Sequence, residues 1–351
     1  MTTRLRIGFL PLVDAALLVV AREEGFAEHE GLNLDLVREA SWANVRDRLS
    51  VGLLDAAQML APAAIAATLG LGHLRVPMAA PAILSLSGAS ITVSSALYKD
   101  MRAAAQCELA EPKVAAAAFA KVAAARVAAG GAPPVLATVF AYSTHSLLIG
   151  EFLRLANLKP ETDIPLVVLP PQYTATSLAN GQIDGFCAGA PWNAVAVASG
   201  AGAIAAFGVD LIPDAPEKLL VMRADDVEGR TETAIALTRA VLAAAAWTEN
   251  AEHRGRLARH LERADYVDAP ASMIEAVLVG NIEVGAGRPP RSAPDYLRID
   301  RAALAPSAGV ADRLIAAMIA AGQLADTERA RDAARRVFRD DLFARALKSA
   351  R

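Results

Sequence analysis

The sequence predicts an α/β protein made of two doubly wound lobes joined by a hinge, with a helical C-terminal region. Three observations predict it. Short apolar runs alternate with helix-patterned stretches over the first 95 residues, and the alternation restarts near Val135. After Val209 one more apolar run leads into a long stretch of helical character. Strands alternating with helices imply mostly parallel sheets covered by helices. With 351 residues, of which 54% are hydrophobic and 21% charged, the chain can bury a large core, and its length suits about two domains.

The elements follow in order. Leu5–Leu10 is an apolar run that stops at Pro11, hence a strand. Asp14 is a candidate cap for the next helix, which runs through Val20 to a stop at Gly25. Leu32–Val37 alternates as a strand, and Ser41 or Asn44 opens a helix carrying Arg46, Asp47 and Arg48. Asp55–Leu60 is a strand, and Pro62 suits the first turn of the helix after it. Val76–Leu86 is another strand region. Residues 96–131, rich in Ala with scattered Lys and Arg, read as helix. Strands are then expected at Val135–Phe140, Ile164–Leu169, Asp184–Ala188 and Ala203–Phe207. The helices between them are Thr144–Ala156, Tyr173–Asn180 and Pro191–Ser199. Leu219–Arg223 is the last strand, and the rest is largely helical up to Arg351. The expected lobes are residues 1–95 with 210–351, and residues 96–209. Two crossings make a hinge, and ligands favour the cleft of such a pair.

Composition excludes several classes. A net charge of -3 leaves no nucleic-acid footprint. Cys107 and Cys187 lie far apart with no metal spacing, which fits a reducing compartment. Arg4–Leu10 already reads as a core strand, and Pro11 and Asp14 break any secretory apolar segment. A cytoplasmic protein is therefore expected. Uncharged stretches after Arg75, Arg126 and Asp184 have the length of a membrane span, but Pro, Gly and polar residues interrupt each of them. They read as buried strands with turns, and no membrane association is expected. No Gly-x-Ser-x-Gly, Walker loop, His-Glu-x-x-His or Cys-x-x-Cys occurs, and no spacing pairs Asp14 with Asp184 as acid and base. Neither catalysis nor a metal or cofactor is expected. The Arg329–Arg339 run reads as a solvated helix face or a partner surface.

Several strings stand out together. They are Gly8-Phe9-Leu10-Pro11-Leu12, Glu39-Ala40-Ser41-Trp42-Ala43-Asn44, Asp55-Ala56-Ala57-Gln58-Met59, Ser143-Thr144-His145, Pro170-Pro171-Gln172, Gly181-Gln182-Ile183-Asp184-Gly185, Pro191-Trp192-Asn193 and Pro216-Glu217-Lys218. In order and spacing, over roughly residues 4–260, the chain resembles the nitrate- and bicarbonate-binding receptors of ABC importers. Without an export signal, it is similar within that family to the cytoplasmic nitrate/nitrite sensor (NasS type). The resemblance implies a periplasmic-binding-protein-like fold of the second type, with Trp42, His145 and Lys218 as ligand residues. Two positions depart from the receptors' pattern. Ser87-Gly88-Ala89 stands where they tend to have Asn-Gly-Gln or Asn-Gly-Asn, and Gly189-Ala190-Pro191-Trp192 where they tend to have Gly-Glu-Pro-Trp. One amide and one carboxylate are thus lost, which argues against a metal-assisted bicarbonate site and leaves room for a larger ligand.

Chemistry supports the same residues. A small oxyanion in a dry cleft needs several hydrogen-bond donors and about one compensating positive charge. Lys218, between Pro216 and an apolar strand, can supply the charge, or else is an ordinary surface lysine. His145, at a helix start in an uncharged stretch, can donate alongside backbone N–H groups, or be a structural histidine. Trp42 can donate its indole N–H while shielding the anion, or be a core aromatic. Gln58, inside an apolar run, either reaches the ligand or ties loops together, the second being favoured. Ser41, Ser87 and Thr144 are further hydroxyl donors, and Trp192 and Asn193 are expected to pack and cap their helix.

The expected function is a nitrate/nitrite sensor whose partner, as the resemblance implies, is an RNA-binding transcription antiterminator (NasT type) released on anion binding. Closure on the anion would shift that equilibrium only by the difference in affinity between the two shapes. The alternative is a solute-binding receptor of a nitrate-type ABC importer. An enzyme similar to the pyrimidine-precursor synthases of thiamine biosynthesis is disfavoured, since those use a cysteine-rich iron motif and only His145 matches here.

Overall fold

The structure is a computed structural model that describes residues 2–72 and 74–349. Its opening follows the apolar pattern closely. Strand β1 (Thr3–Phe9) leads through a 3-10 turn at Val13–Ala15 into α1 (Ala16–Glu23). Residues Ala16 to Ala21 of α1 are all buried, as a helix apolar on every side must be. A short α2 (Phe26–His29), β2 (Leu32–Arg38), α3 (Trp42–Ser50), β3 (Ala56–Leu60), α4 (Ala61–Leu69) and β4 (Met78–Ser87) follow. Ser41 caps α3 by accepting from Asn44 N at 3.2 Å, and a proline sits in the first turn of α4.

The next stretch forms its own sheet. It comprises β5 (Ala89–Ser94), α5 (Ser95–Ala105), α6 (Pro112–Ala128), β6 (Leu136–Thr138), α7 (Thr144–Leu155), β7 (Leu166–Val168), α8 (Pro171–Ala179), β8 (Gly185–Gly189), α9 (Trp192–Ala198) and β9 (Gly202–Phe207). After the short α10 (Gly208–Leu211), β10 (Pro216–Arg223) returns to the first sheet. Then come α11 (Ala224–Gly229), α12 (Thr231–Thr248), α13 (Arg254–Glu262), α14 (Ala271–Val279), three two-residue strands, β11 (Asn281–Ile282), β12 (Arg291–Ser292) and β13 (Leu297–Arg298), and the helices α15 (Ala308–Ala320), α16 (Glu328–Val337) and α17 (Asp340–Ser349). Ala350 and Arg351, to which the helical expectation extends, lie outside the described residues.

The chain divides into two compact units, Met1–Leu86 with Pro216–Glu275 and Arg298–Arg351, and Ser87–Ala215 with Ala276–Leu297. The expected crossings near 96 and 209 thus fall at Ser87 and Pro216, and a further segment, 276–297, belongs to the second unit. Both differences have physical causes. The expected first lobe includes Ala89–Ser94, but the backbone of this run forms a strand that pairs with β8 and β9. Segment 276–297 is tied down by Arg288, whose Nη2 donates at 2.7 Å to the carbonyls of Ile204 and Val284 and whose guanidinium lies over the Tyr98 ring, 4.5 Å from its centroid.

Strand order in the first unit's sheet is β13-β4-β10-β3-β1-β2, and in the second β7-β6-β8-β5-β9. The pairs β1–β2, β1–β3, β6–β7 and β6–β8 are parallel. The pairs of β10 with β3 and β4, and of β5 with β8 and β9, are antiparallel. The mostly parallel expectation is corrected to two mixed sheets, because the strands that carry the chain between units enter each sheet reversed. The expected single helix over 96–131 is two, α5 and α6, with Gln106 left-handed (φ 57°) at the end of the first. The arginine-rich run is α16 and its flank. Ala330, Ala333, Ala334 and Val337 face inward, and Arg331, Arg335 and Arg339 pair with surface carboxylates. Among the described residues no helix is long and apolar enough to cross a membrane, and no His, Cys, Asp or Glu cluster has the spacing to hold a metal.

Candidate functional site

In the first unit, the carboxyl ends of β1 and β3 meet the turn after β1 and the start of α3. In open α/β sheets ligands favour this end of the strands. Here the structure buries a charged cluster. Lys218 Nζ lies 2.9 Å from Asp14 Oδ2 and 2.6 Å from Glu217 Oε1, and all three residues are at most 2% exposed. Gln58 Nε2 donates to Asp14 Oδ1 at 2.5 Å, while Gln58 Oε1 accepts from Leu10 N at 3.0 Å. Gln58 therefore ties the turn after β1 to β3, the second of its two expected roles.

Local irregularity brings the two β10 charges together. Alternation along a strand would send Glu217 and Lys218 to opposite faces. The pairing of β10 with β4 shifts register between Pro216 and Lys218, so Glu217 is an extra residue in a β-bulge, a device that re-aims side chains. Lys218 pairs with Ser85 on β4 and with Leu60 on β3. Opposed residues of an antiparallel pair share a face, so Ser85 lies on the same face as Lys218.

Trp42, the first residue of α3, is 2% exposed, and Lys218 Nζ stands over its ring, 5.2 Å from the centroid. Trp42 Nε1 and Ser85 Oγ are buried without a hydrogen-bond partner. Buried donors are nearly always satisfied, so an unpartnered indole N–H on the ring under the ammonium and an unpartnered hydroxyl on the strand opposite Lys218 mark a place for an acceptor. The electrostatics push the same way. Burial drives the Asp14 carboxyl above its ordinary range, against the pull of Lys218 and the Gln58 amide. Burial alone would lower the Lys218 ammonium, but Asp14 and Glu217 outweigh it and hold it raised. Burial thus favours the neutral form of the Asp14 carboxyl, and the two carboxyls favour the charged form of the Lys218 ammonium.

The sequence-predicted residues fall in two places. Trp42, Gln58, Ser41 and Lys218 belong to the first unit. Trp42, Gln58 and Lys218 gather at the cluster, and the Ser41 hydroxyl oxygen is engaged as the α3 cap. Ser87, Thr144 and His145 belong to the second unit. Ser87 is the last residue of β4, with φ 60°. Thr144 and His145 begin α7 and are buried. Ser143 caps that helix, accepting from Ser146 N at 3.0 Å and donating to Phe140 O at 2.6 Å. Ser143→Ala is expected to lower stability by about 1–2 kcal/mol, the upper part of the range for caps because the group is buried. Urea unfolding checks this. Asn193 does not cap α9. Its amide joins Thr92 Oγ1 (2.8 Å) to the Ala188 carbonyl (2.6 Å) across the sheet.

Sequence reasoning took Lys218 as a free compensating charge, whereas here it is paired twice. It took Asp14 as a helix cap, but the carboxylate makes no cap and points at Lys218 instead. Glu217 and Ser85 were not singled out. The available signal was chemical: Asp14 interrupts the apolar stretch Phe9–Val20, and two opposite charges precede Leu219-Leu220-Val221-Met222.

Comparison with known proteins bears on this site. A curated relative from Nostoc sp. (strain PCC 7120), the nitrate/nitrite binding protein NrtA, is 30% identical over 292 residues, 82% of this chain and 63% of its own length. The nitrate import ATP-binding protein NrtC of Synechocystis sp. is 34% identical over 275 residues, 77% of this chain and 38% of its own. The chain thus spans about two fifths to three fifths of the length of these relatives. Among solved structures, the periplasmic nitrate-binding protein NrtA from Synechocystis PCC 6803 superposes with a TM-score of 0.90 at 26% identity, covering 99% of this chain and 89% of that one. Its fold is that of the periplasmic binding proteins. With the NMT1-like family pattern matching residues 1–262, the chain belongs to the NMT1-like family.

Proposed function

We propose that the protein is a solute-binding receptor of a nitrate-type ABC importer and that its ligand is nitrate or nitrite, held against Lys218. The observation that carries this reading is the buried ammonium over the Trp42 ring, whose indole N–H has no partner, with the unpartnered hydroxyl of Ser85 on the strand opposite Lys218. A planar oxyanion accepts hydrogen bonds in its plane, and an indole N–H, a hydroxyl and an ammonium are the donors it needs. The NrtA relatives are named for binding nitrate or nitrite, which supports the same anion here. The relatives' names speak of transport. That favours the receptor over the antiterminator-releasing sensor expected from the sequence.

Calorimetric titration with nitrate, nitrite and bicarbonate tests the proposal, with Trp42→Phe alongside the native protein. Trp42→Phe keeps the ring and removes the buried N–H. Its unliganded stability should therefore match or slightly exceed the native value, while nitrate or nitrite affinity falls about 10- to 100-fold, the effect of one hydrogen bond to a charged group. Absence of saturable binding to all three anions contradicts the proposal, and native affinity in Trp42→Phe removes the indole from the site.

A further inference from the structure

We infer that Asp14 is a charge-compensating residue of the anion site, taking up one proton for each anion that docks on Lys218. The inference rests on the anion-binding reading above and concerns how the site balances charge. Lys218, Asp14 and Glu217 are all buried within salt-bridge distance. Fully ionised, they hold one positive and two negative charges. A monovalent anion on Lys218 adds a third negative charge in surroundings where water cannot screen it. The ammonium attracts the anion and two carboxylates repel it, so the ionised cluster is a poor anion site. One proton restores the charge it had before the anion arrived.

Geometry selects Asp14 as the group that takes it. Glu217 is the chain neighbour of Lys218, on the same bulge, and moves with it. Asp14 sits on a different element, the turn after β1, and is held there by Gln58. An anion that draws Lys218 Nζ toward Trp42 therefore competes first with Asp14. The carboxyl left behind is buried, and burial already favours its neutral form.

The charged groups facing Asp14 are few. From β10 they are Lys218 and Glu217, and β3 contributes only the neutral Gln58 amide. On the helices packed against α1, Arg256 and His260 of α13 pair with Glu24, Arg263 with Glu23, and Arg239 of α12 with Glu30 just after α2. None of these partners is Asp14.

The sign of the pH dependence follows. Proton uptake on binding means that affinity falls as pH rises, by about tenfold per unit above the titration of Asp14 in the free protein, and levels off below it. Nitrate itself does not titrate in this range, so the slope belongs to the protein. The experiment is calorimetric titration of the native protein with nitrate over about pH 5 to 9, in buffers of different ionisation enthalpy, so that the heat reports protons exchanged. Asp14→Asn and Glu217→Gln are measured in parallel. The expected result is uptake approaching one proton per nitrate in the native protein and in Glu217→Gln. In Asp14→Asn there should be no uptake, and affinity at alkaline pH should exceed the native value. Binding without uptake at every pH overturns the inference and leaves the anion-binding reading intact. Uptake that persists in Asp14→Asn assigns the proton to another group and also overturns it. No nitrate binding at any pH overturns both.

Discussion

Lys218→Ala is expected to lower the free energy of unfolding by about 3–5 kcal/mol, the cost of removing one partner from a buried ion pair. The ammonium is fully buried and is the cation bonded to both Asp14 and Glu217. Without it, two carboxyls share a dry site with only the Gln58 amide donating to Asp14. Asp14 is already above its ordinary range through burial, and loss of the ammonium that pulls it down raises it further. A carboxyl whose folded-state titration lies above its unfolded value contributes least penalty below the unfolded value and progressively destabilises as pH rises through the folded one. The variant should therefore be least impaired in acid and most impaired in alkali. Urea unfolding at two pH values measures this. A triple variant, Asp14→Asn, Glu217→Gln and Lys218→Met, should recover most of the loss, because replacing a whole buried ionic group is often close to neutral. A Lys218→Ala protein within about 1 kcal/mol of native at neutral pH would show that the cluster is hydrated rather than buried.

Gly280→Ala is expected to destabilise by roughly 2–4 kcal/mol. Gly280 ends α14 at φ +70°, and a Cβ added there would stand 2.2 Å from the Ala293 carbonyl oxygen. That carbonyl cannot move aside freely, since Ala293 N donates to Gly280 O at 2.7 Å. Two penalties add: left-handed backbone for an L residue, about 1–2 kcal/mol, and displacement of the backbone pairing between Gly280 and Ala293 inside segment 276–297. Gly287→Ala separates them. Gly287 has φ +69° with nothing within 4 Å of an added Cβ, so that variant should show the backbone penalty alone. Equal losses in the two variants would mean that the close approach at Gly280 relaxes without cost.

Much of the fold was legible because its strands and helices are written in apolar period and punctuation. The strand at Thr3–Phe9, the helix from Trp42 with its Ser41 cap, and the strand at Pro216–Arg223 lie within a few residues of where pattern places them. The β5 strand was not singled out, and its residues fell to the first lobe, because only its pairing partners assign it to the second sheet. Antiparallel entry of β10 was invisible for the same reason, since direction is a property of topology and not of local pattern. At the site, Trp42, Gln58 and Lys218 were singled out by chemistry and resemblance, and the structure brings them together. Their electrostatic setting was not legible. The pairing of Lys218 with Glu217 depends on a bulge, and its pairing with Asp14 spans two hundred residues of sequence. Neither leaves a local trace beyond a charge placed among apolar neighbours.

The most direct measurement is a crystal structure of the protein grown with nitrate. The anion should lie in hydrogen-bond distance of Trp42 Nε1 and Lys218 Nζ, with the Lys218–Asp14 contact lengthened from its present 2.9 Å. An anion bound away from Trp42, or a Lys218 that keeps both carboxylates with no anion beside it, would contradict the assignment of this cluster as the ligand site.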